Sequence, residues 1–357
     1  MLDRFKVPDD IAVRVAPDAM RATVASLFAA LGMSEADAAQ SADVLVYADT
    51  RGIDSHGVSN MTPRYVSWLK KGVINATPKT SVLRDTGPAV TIDGDRGLGL
   101  AVGPPAMDLA IERARAHGIG VVLVTNAGHY GAAAYHAQKA LAHDMIGMSM
   151  TTGGVLVAPT HGAERLLGLN PIGIAAPADK EVSFIFDASM SSVAGNKIAL
   201  LNRVGGKVLP GWVARADGSP VMEEAPVPEG FMMLPLGGIR EIGSHKGFGL
   251  MMMVEVLTSL LAGGGGGPFR RGDSTHYFAA YNIDAFSDAA RFKADMDAYL
   301  RRLLDSRPAP GEARVVYPGI EEAEAEADRL QRGIPYHPEV VEWFRTTCES
   351  LQAKHQL

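Results

Sequence analysis

Two side chains able to move a proton stand together in the run Arg51-Gly52-Ile53-Asp54-Ser55-His56-Gly57-Val58. An imidazole titrates near neutral pH, so it can both give and take a proton, and the hydroxyl beside it can share in that work. Gly52 and Gly57 allow the sharp turns that would present Ser55 and His56 on a pocket wall. Taken alone, the run is more simply a helix C-cap at Gly52 followed by a polar loop with a hydrogen-bonded histidine.

A second imidazole shifts that balance. His129 ends Asn126-Ala127-Gly128-His129, with Tyr130 and Gly131 behind it, just past an apolar strand and just before a helix. Loops at strand ends are where sheet proteins gather reactive side chains, so His129 pairs with His56 as a proton donor or a carbonyl orienter. Two further stretches suit anions or a ribose. Gly243-Ser244-His245-Lys246-Gly247-Phe248-Gly249 runs into a helix, where backbone N–H groups and the helix dipole favour a phosphate or carboxylate. Its plain alternative is an N-cap loop with a solvated lysine. Phe184-Ile185-Phe186-Asp187-Ala188-Ser189 puts polar groups at a strand end, with a Ser/Asn/Lys-rich run behind it.

Other chemistries find little support. Gly97-Leu98-Gly99-Leu100-Ala101-Val102-Gly103 lacks dinucleotide spacing and the acidic residue about 20 positions on, so it reads as structural. No strict G-x-G-x-x-G, P-loop, H-E-x-x-H, C-x-x-C or calcium loop occurs. His129, His136 and His143 recur every seven residues, as on one helix face, but each interval rises about 10.5 Å, too far for one ion. No metal is expected, and His136 and His143 read as surface or packing residues.

The elements that must hold these groups follow from periodicity. Apolar spacing predicts helices over Asp18–Leu31, from Ser34 to about Arg51, and from near Ser59 to Lys71. Strands are expected at Ala89–Asp93, Ile119–Thr125, Ile146–Thr151, Ile172–Ala176, Val182–Asp187 and His276–Ile283. Helices are expected from about Pro104 to His117, over Gly131–His143, Phe248–Ala262, Ser287–Leu304 and Glu321–Arg332, and from Pro338 onward. Few crossover helices lie among the middle strands, which points to a mixed or largely antiparallel sheet. The five glycines Gly263–Gly267 read as a mobile loop without a binding role.

Composition sets the outer limits. The 357 residues, 47% hydrophobic and 21% charged, suit a soluble chain of two or three domains or subdomains. A formal charge of −6 without a Lys/Arg stripe speaks against nucleic acid, and no stretch reads as a membrane span or signal peptide. The single cysteine, Cys348, fits a reducing, cytoplasmic setting.

Together the segments resemble the type 2 malate/L-lactate dehydrogenase family, whose members act on malate, sulfolactate, ureidoglycolate, diketogulonate and cyclic imino acids. The resemblance is carried by Asp54-Ser55-His56-Gly57-Val58, Asn126 to Gly131, Gly168-Leu169-Asn170-Pro171-Ile172 and Asp187-Ala188-Ser189. Leu234 to Gly238, His245-Lys246-Gly247-Phe248-Gly249-Leu250, Tyr317-Pro318-Gly319-Ile320-Glu321 and Arg332-Gly333-Ile334 complete it over nearly the whole chain. It implies an α+β, non-Rossmann fold: a helical part over 1–75, a subdomain of 76–118 with 275–335, a cofactor domain of mostly antiparallel sheet over 119–274, and a C-terminal helix over 336–357. It implies NAD or NADP as cofactor and a homodimer. His56 would be the proton donor and acceptor, with Ser55 beside it and His129 on the substrate. The cofactor would lie along Ser183 to Ser189, His245 with Lys246, and Gly319 to Glu321.

On the substrate side the candidates are Asn60, Arg64, Tyr65 and Asn126. Members of the family commonly carry an arginine where this chain has Asn60; Arg64, one turn on, is the substitute expected to clamp a carboxylate. Gly153 stands where Asn is frequent, and Leu169 where Thr is usual. The expected reaction interconverts a 2-oxo acid and a 2-hydroxy acid, the alternative being reduction of a cyclic imino acid on the same scaffold. A hydrolase or lyase built on Ser55 and His56 lacks the G-x-S-x-G turn, and a binding protein without activity is the remaining rival.

Overall fold

A computed structural model describes residues 5–357, the side chains of Arg203 and Val204 excepted. Three helices open the chain after strand β1 (Val13–Val15): α1 (Pro17–Ala30), α2 (Glu35–Thr50) and α3 (Val58–Lys70). Their buried faces carry the expected spacing, and the Ser34 hydroxyl accepts the Asp37 N–H to start α2. The chain closes on this helical part: β11 (Ile334–Tyr336) pairs antiparallel with β1, and α10 (Pro338–Ser350) packs its Val341 and Phe344 into the same core as Phe28 and Leu45.

The described residues between them build one seven-stranded sheet, in the order β2 (Ser81–Asp85), β3 (Ala89–Asp93), β4 (Ile119–Ala127), β10 (Ser274–Asn282), β5 (Met145–Thr151), β6 (Ile172–Ala176) and β7 (Phe184–Ala188). Only β3 with β4 is parallel, so the expectation of a mostly antiparallel sheet holds. Side chains alternate between two cores. Phe278 and Val122 face α4 (Gly99–His117) and α5 (Ala133–Gln138), while Tyr277 and Leu123 face the core that includes Met251 and Val254 of α7 (Ser244–Glu255). The expected division points at 118/119 and 274/275 fall beside the starts of β4 and β10, neighbouring strands of this one sheet.

Several boundaries differ from expectation. Helix α4 starts at Gly99 rather than near Pro104, because glycines let it pack close: a Cβ on Gly99 would lie 2.5 Å from the Gly128 carbonyl oxygen. Helix α5 ends at Gln138 and continues as a 3-10 turn over Lys139–His143, and His129 precedes it, so the three histidines do not share a helix face. His136 is fully buried and stacked on Tyr130, a packing role, whereas His143 is exposed. Helix α6 (Gly195–Val204) and the short pair β8 (Val213–Ala214) and β9 (Met232–Met233) lie where no element was expected. Helices α8 (Ala289–Leu304) and α9 (Ile320–Arg332) fall within two residues of their expected starts. The glycine run is tied at both ends, with Gly264 N–H donating to Ser259 and Gly267 N–H to Glu255.

Candidate active site

The turn between α2 and α3 is fixed by two glycines for different reasons. Gly52 takes a φ of +74°, the left-handed region a C-cap needs. Gly57 is needed for room: a Cβ there would stand 1.5 Å from Asp49 Oδ1. The Asp49 carboxylate, 1% exposed, turns back to receive the Val58 N–H at 3.0 Å and the Tyr336 hydroxyl at 2.7 Å, both on Oδ2. Burial pushes Asp49 up to about 7, with Asp54 adding to the rise and the Val58 and Tyr336 donors opposing it. Arg329 of α9 clamps the same turn, donating through both terminal nitrogens to Asp54, at 2.5 and 3.2 Å, and also to the Asp49 carbonyl.

Held in this way, Ser55 and His56 face a cleft of about 1220 Å³. Ser55 Oγ lies 3.0 Å from His56 Nδ1, and the His56 ring stacks on that of His129 at 5.7 Å with 14° between planes. His129 is held from behind by Tyr65, whose hydroxyl is 2.6 Å from Nδ1, and by the Gly131 N–H at 3.2 Å. Burial brings His56 down to about 4, with Lys197 and Arg64 adding to the fall. Burial, then the neighbouring His56, holds His129 well below the usual histidine value. Both rings are therefore neutral at pH 7.

The cleft gathers some of the expected residues and not others. Asp54, Ser55, His56, Arg64 and His129 line it, and so do Asp187, Ala188, Ser189 and Glu321. Arg64 is exposed to the cleft and makes no ion pair or hydrogen bond among the described residues. Tyr65 is fully buried behind His129 rather than on the wall. Asn60 reaches the Asn196 carbonyl at 3.4 Å, tying α3 to α6, and Asn126 donates to Asp93 at 2.9 Å. Neither lines the cleft. Ser183, Phe184, Ile185 and Phe186 stand behind the wall: Ile185 and Phe186 point into opposite cores, as strand alternation requires. Gly319, at a φ of +110°, and Ile320 dock on that strand, since a Cβ on Gly319 would lie 2.9 Å from the Ser183 carbonyl oxygen. His245 and Lys246 are exposed on the first turn of α7 and do not reach the cleft. Burial raises Asp187 to about 6 against the Ala134 and Ala133 N–H groups, the former 2.7 Å from Oδ2, so this carboxylate caps α5.

Other residues of the site carried no usable signal. Lys197, on the unexpected α6, and Arg270, bonded to the Gly153 carbonyl at 2.9 Å, both line the cleft. His276 supports the His129 turn from β10, its Nε2 2.9 Å from the Gly128 carbonyl and its Nδ1 2.7 Å from Thr151 Oγ1. Gly153 and Leu169, two of the three departures, lie against one another: a Cβ on Gly153 would be 2.9 Å from the Leu169 nitrogen. The larger side chain at 169 thus faces the smaller residue at 153.

A family model described as malate/L-lactate dehydrogenase matches residues 15–345. A malate dehydrogenase of Pyrococcus abyssi is 38% identical over 353 residues, covering 97% of each chain. An L-sulfolactate dehydrogenase of Methanocaldococcus jannaschii is 35% identical over 314 residues, covering 86% of this chain and 88% of its own. In three dimensions the solved malate dehydrogenase of Pyrococcus horikoshii aligns with a TM-score of 0.89 at 34% identity, over 98% of this chain and 99% of that one. Matched over nearly its whole length in sequence and in fold, the chain belongs to the malate/L-lactate dehydrogenase family of oxidoreductases.

Proposed function

We propose that the protein interconverts a small 2-hydroxy acid and its 2-oxo acid with a nicotinamide dinucleotide, and that the acid carries a second anionic group. The observation that carries this reading is the juxtaposition of two stacked neutral imidazoles with an unpaired guanidinium, Arg64, in one cleft. A buried substrate carboxylate without a cationic partner is costly, so Arg64 is the anchor, with Lys197 and Arg270 available to a second acidic group. The malate and sulfolactate relatives act, by their names, on acids of that kind.

The cleft's volume exceeds the roughly 300–1,000 Å³ of sites for drug-sized ligands, which suits a dinucleotide together with a small acid. Asp187 to Ser189 and Glu321 would hold the cofactor, and its nicotinamide ring supplies hydride acceptance or donation when bound. His56 accepts the hydroxyl proton in oxidation and returns it in reduction. Glu321, Glu322 and Glu324 line the cleft together with Arg51 and Arg329, and Arg314 holds Glu324 through both of its terminal nitrogens, so the charge there suits either NAD or NADP. His245 and Lys246 have no part in this reading.

A homodimer is proposed as well, supported by apolar side chains left exposed along α7 and just beyond it, including Met252, Val256, Leu260 and Leu261. A cytoplasmic setting is supported by the one cysteine, buried and unpaired. The deciding experiment follows nicotinamide absorbance with NAD and NADP against malate, sulfolactate, lactate and ureidoglycolate. The reverse direction uses NADH and NADPH against the 2-oxo acids and a cyclic imino acid. Turnover of the imine alone would replace the hydroxy-acid reading, and no turnover of any substrate would remove both.

A further inference from the structure

His129 carries enough hydrogen-bond geometry to fix which of its nitrogens bears the proton. The Gly131 backbone N–H points at Nδ1 from 3.2 Å, and a backbone N–H can only donate. Nδ1 is therefore an acceptor. In a neutral ring the single proton must then sit on Nε2. The Tyr65 hydroxyl, 2.6 Å from the same Nδ1, finds no N–H there to accept and donates as well. Tyr65 is fully buried, and burial raises its phenol far above the ordinary value, so the donor keeps its proton. Nε2 has no protein partner among the described residues, and the ring lines the cleft.

The neighbouring ring is arranged otherwise. His56 Nδ1 meets a serine hydroxyl, Ser55 Oγ at 3.0 Å, which can accept as readily as donate. With Ser55 accepting from Nδ1–H, the lone pair of His56 stands on Nε2, where a base needs it.

We propose that Tyr65 and the Gly131 N–H lock His129 as an Nε2–H donor that holds the substrate oxygen, leaving His56 as the only proton acceptor of the pair. Tyr65 is thus a positioning residue for the reaction. The inference rests on the hydroxy-acid reading above. In oxidation the hydride leaves the substrate carbon with its electron pair for the nicotinamide ring. The hydroxyl proton passes to His56 Nε2, and the O–H electron pair becomes the second bond of the new carbonyl. His129 keeps its proton throughout and donates to that oxygen before and after the transfer. Reduction runs the same steps backwards.

The test has one arm that needs no substrate. Full-length protein with 15N-labelled histidine is expected to show His129, assigned by its loss in His129→Gln, with a protonated Nε2 and an unprotonated Nδ1. A protonated Nδ1 or an imidazolium at neutral pH would overturn the proposal, whatever the enzyme turns over. The kinetic arm compares two glutamines, a side chain that donates but cannot accept a proton as a base. His129→Gln keeps a donor and should lose about tenfold in kcat, the order of one hydrogen bond. His56→Gln should lose about 10²–10⁴-fold. Equal losses would make His129 a base and sink the assignment. Tyr65→Phe, folded by its Tm, should lower kcat about tenfold with substrate KM little changed; unchanged kcat with an unchanged 15N pattern would remove Tyr65 from the role. If the wild type oxidises no hydroxy acid, the reading of function fails while the 15N result still decides the tautomer.

Discussion

In the proposed reaction His56 would move the proton and Arg64 would hold the charge of the acid, and each role makes a separable prediction. Replacing His56 with Ala should cut turnover about 10²–10⁴-fold while the dissociation constant for NADH, read by fluorescence, changes little. Full kcat in the purified variant would refute the assignment. The pH dependence is equally specific. Burial, then the charges of Lys197 and Arg64, lower His56 to about 4, so the base is already unprotonated at pH 6. The acid limb of kcat/KM for oxidation should therefore lie well below 6.5, and Arg64→Met should move it upward by removing a like charge. The same variant should raise KM steeply for dianionic acids and leave cofactor binding intact. A kinetically silent Arg64→Met would transfer the anchor to Lys197 or Arg270.

The elements that hold these residues were readable to different depths, for physical reasons. Ile172–Ala176 was placed to the residue because a strand buried on both faces is a continuous apolar run. Strands β1 and β11 are three residues each, too short for a period-2 pattern to stand out, and their pairing joins positions about 320 residues apart. Helix α6 went unseen, and with it the reason Lys197 faces the cleft. The motif around His56 and the strand-end turn of His129 stood out in sequence. Asp49, Arg329 and His276 act through contacts that no spacing announces, and Tyr65, expected on the substrate, stands behind His129 instead. Gly57 shows how sequence and element meet: it was expected to supply a turn, and the structure shows it supplies space beside Asp49. Gly57→Ala should therefore destabilise the protein by about 1–3 kcal/mol, the usual cost of overpacking, because the buried carboxylate has nowhere to retreat. A thermal melt showing no loss would mean that α3 can shift away from α2 without penalty.

The molecule is closed by a circuit in which its C-terminal part reports on its N-terminal one. Tyr336 of β11 and Arg329 of α9 both reach Asp49 and its turn, so the loop that presents His56 is held by residues some 280 positions later in the chain. The buried Asp49 makes this circuit sensitive to pH in a calculable direction. Its pKa rises from 3.8 to about 7 on folding, burial first and Asp54 second. Between these values the folded state binds more protons than the unfolded one, so this group's contribution is fully present below about pH 4 and is lost as pH rises through about 7. The loss amounts to about 4 kcal/mol at most. Asp49→Asn keeps one oxygen to accept from both Val58 N–H and Tyr336 Oη, which already share Oδ2, and it cannot ionise. Chemical denaturation of both proteins from pH 4 to 8 should give a difference in unfolding free energy that moves in favour of the asparagine variant as pH rises. A difference independent of pH would show that Asp49 is ionised throughout, its charge carried by Arg329 and its two donors.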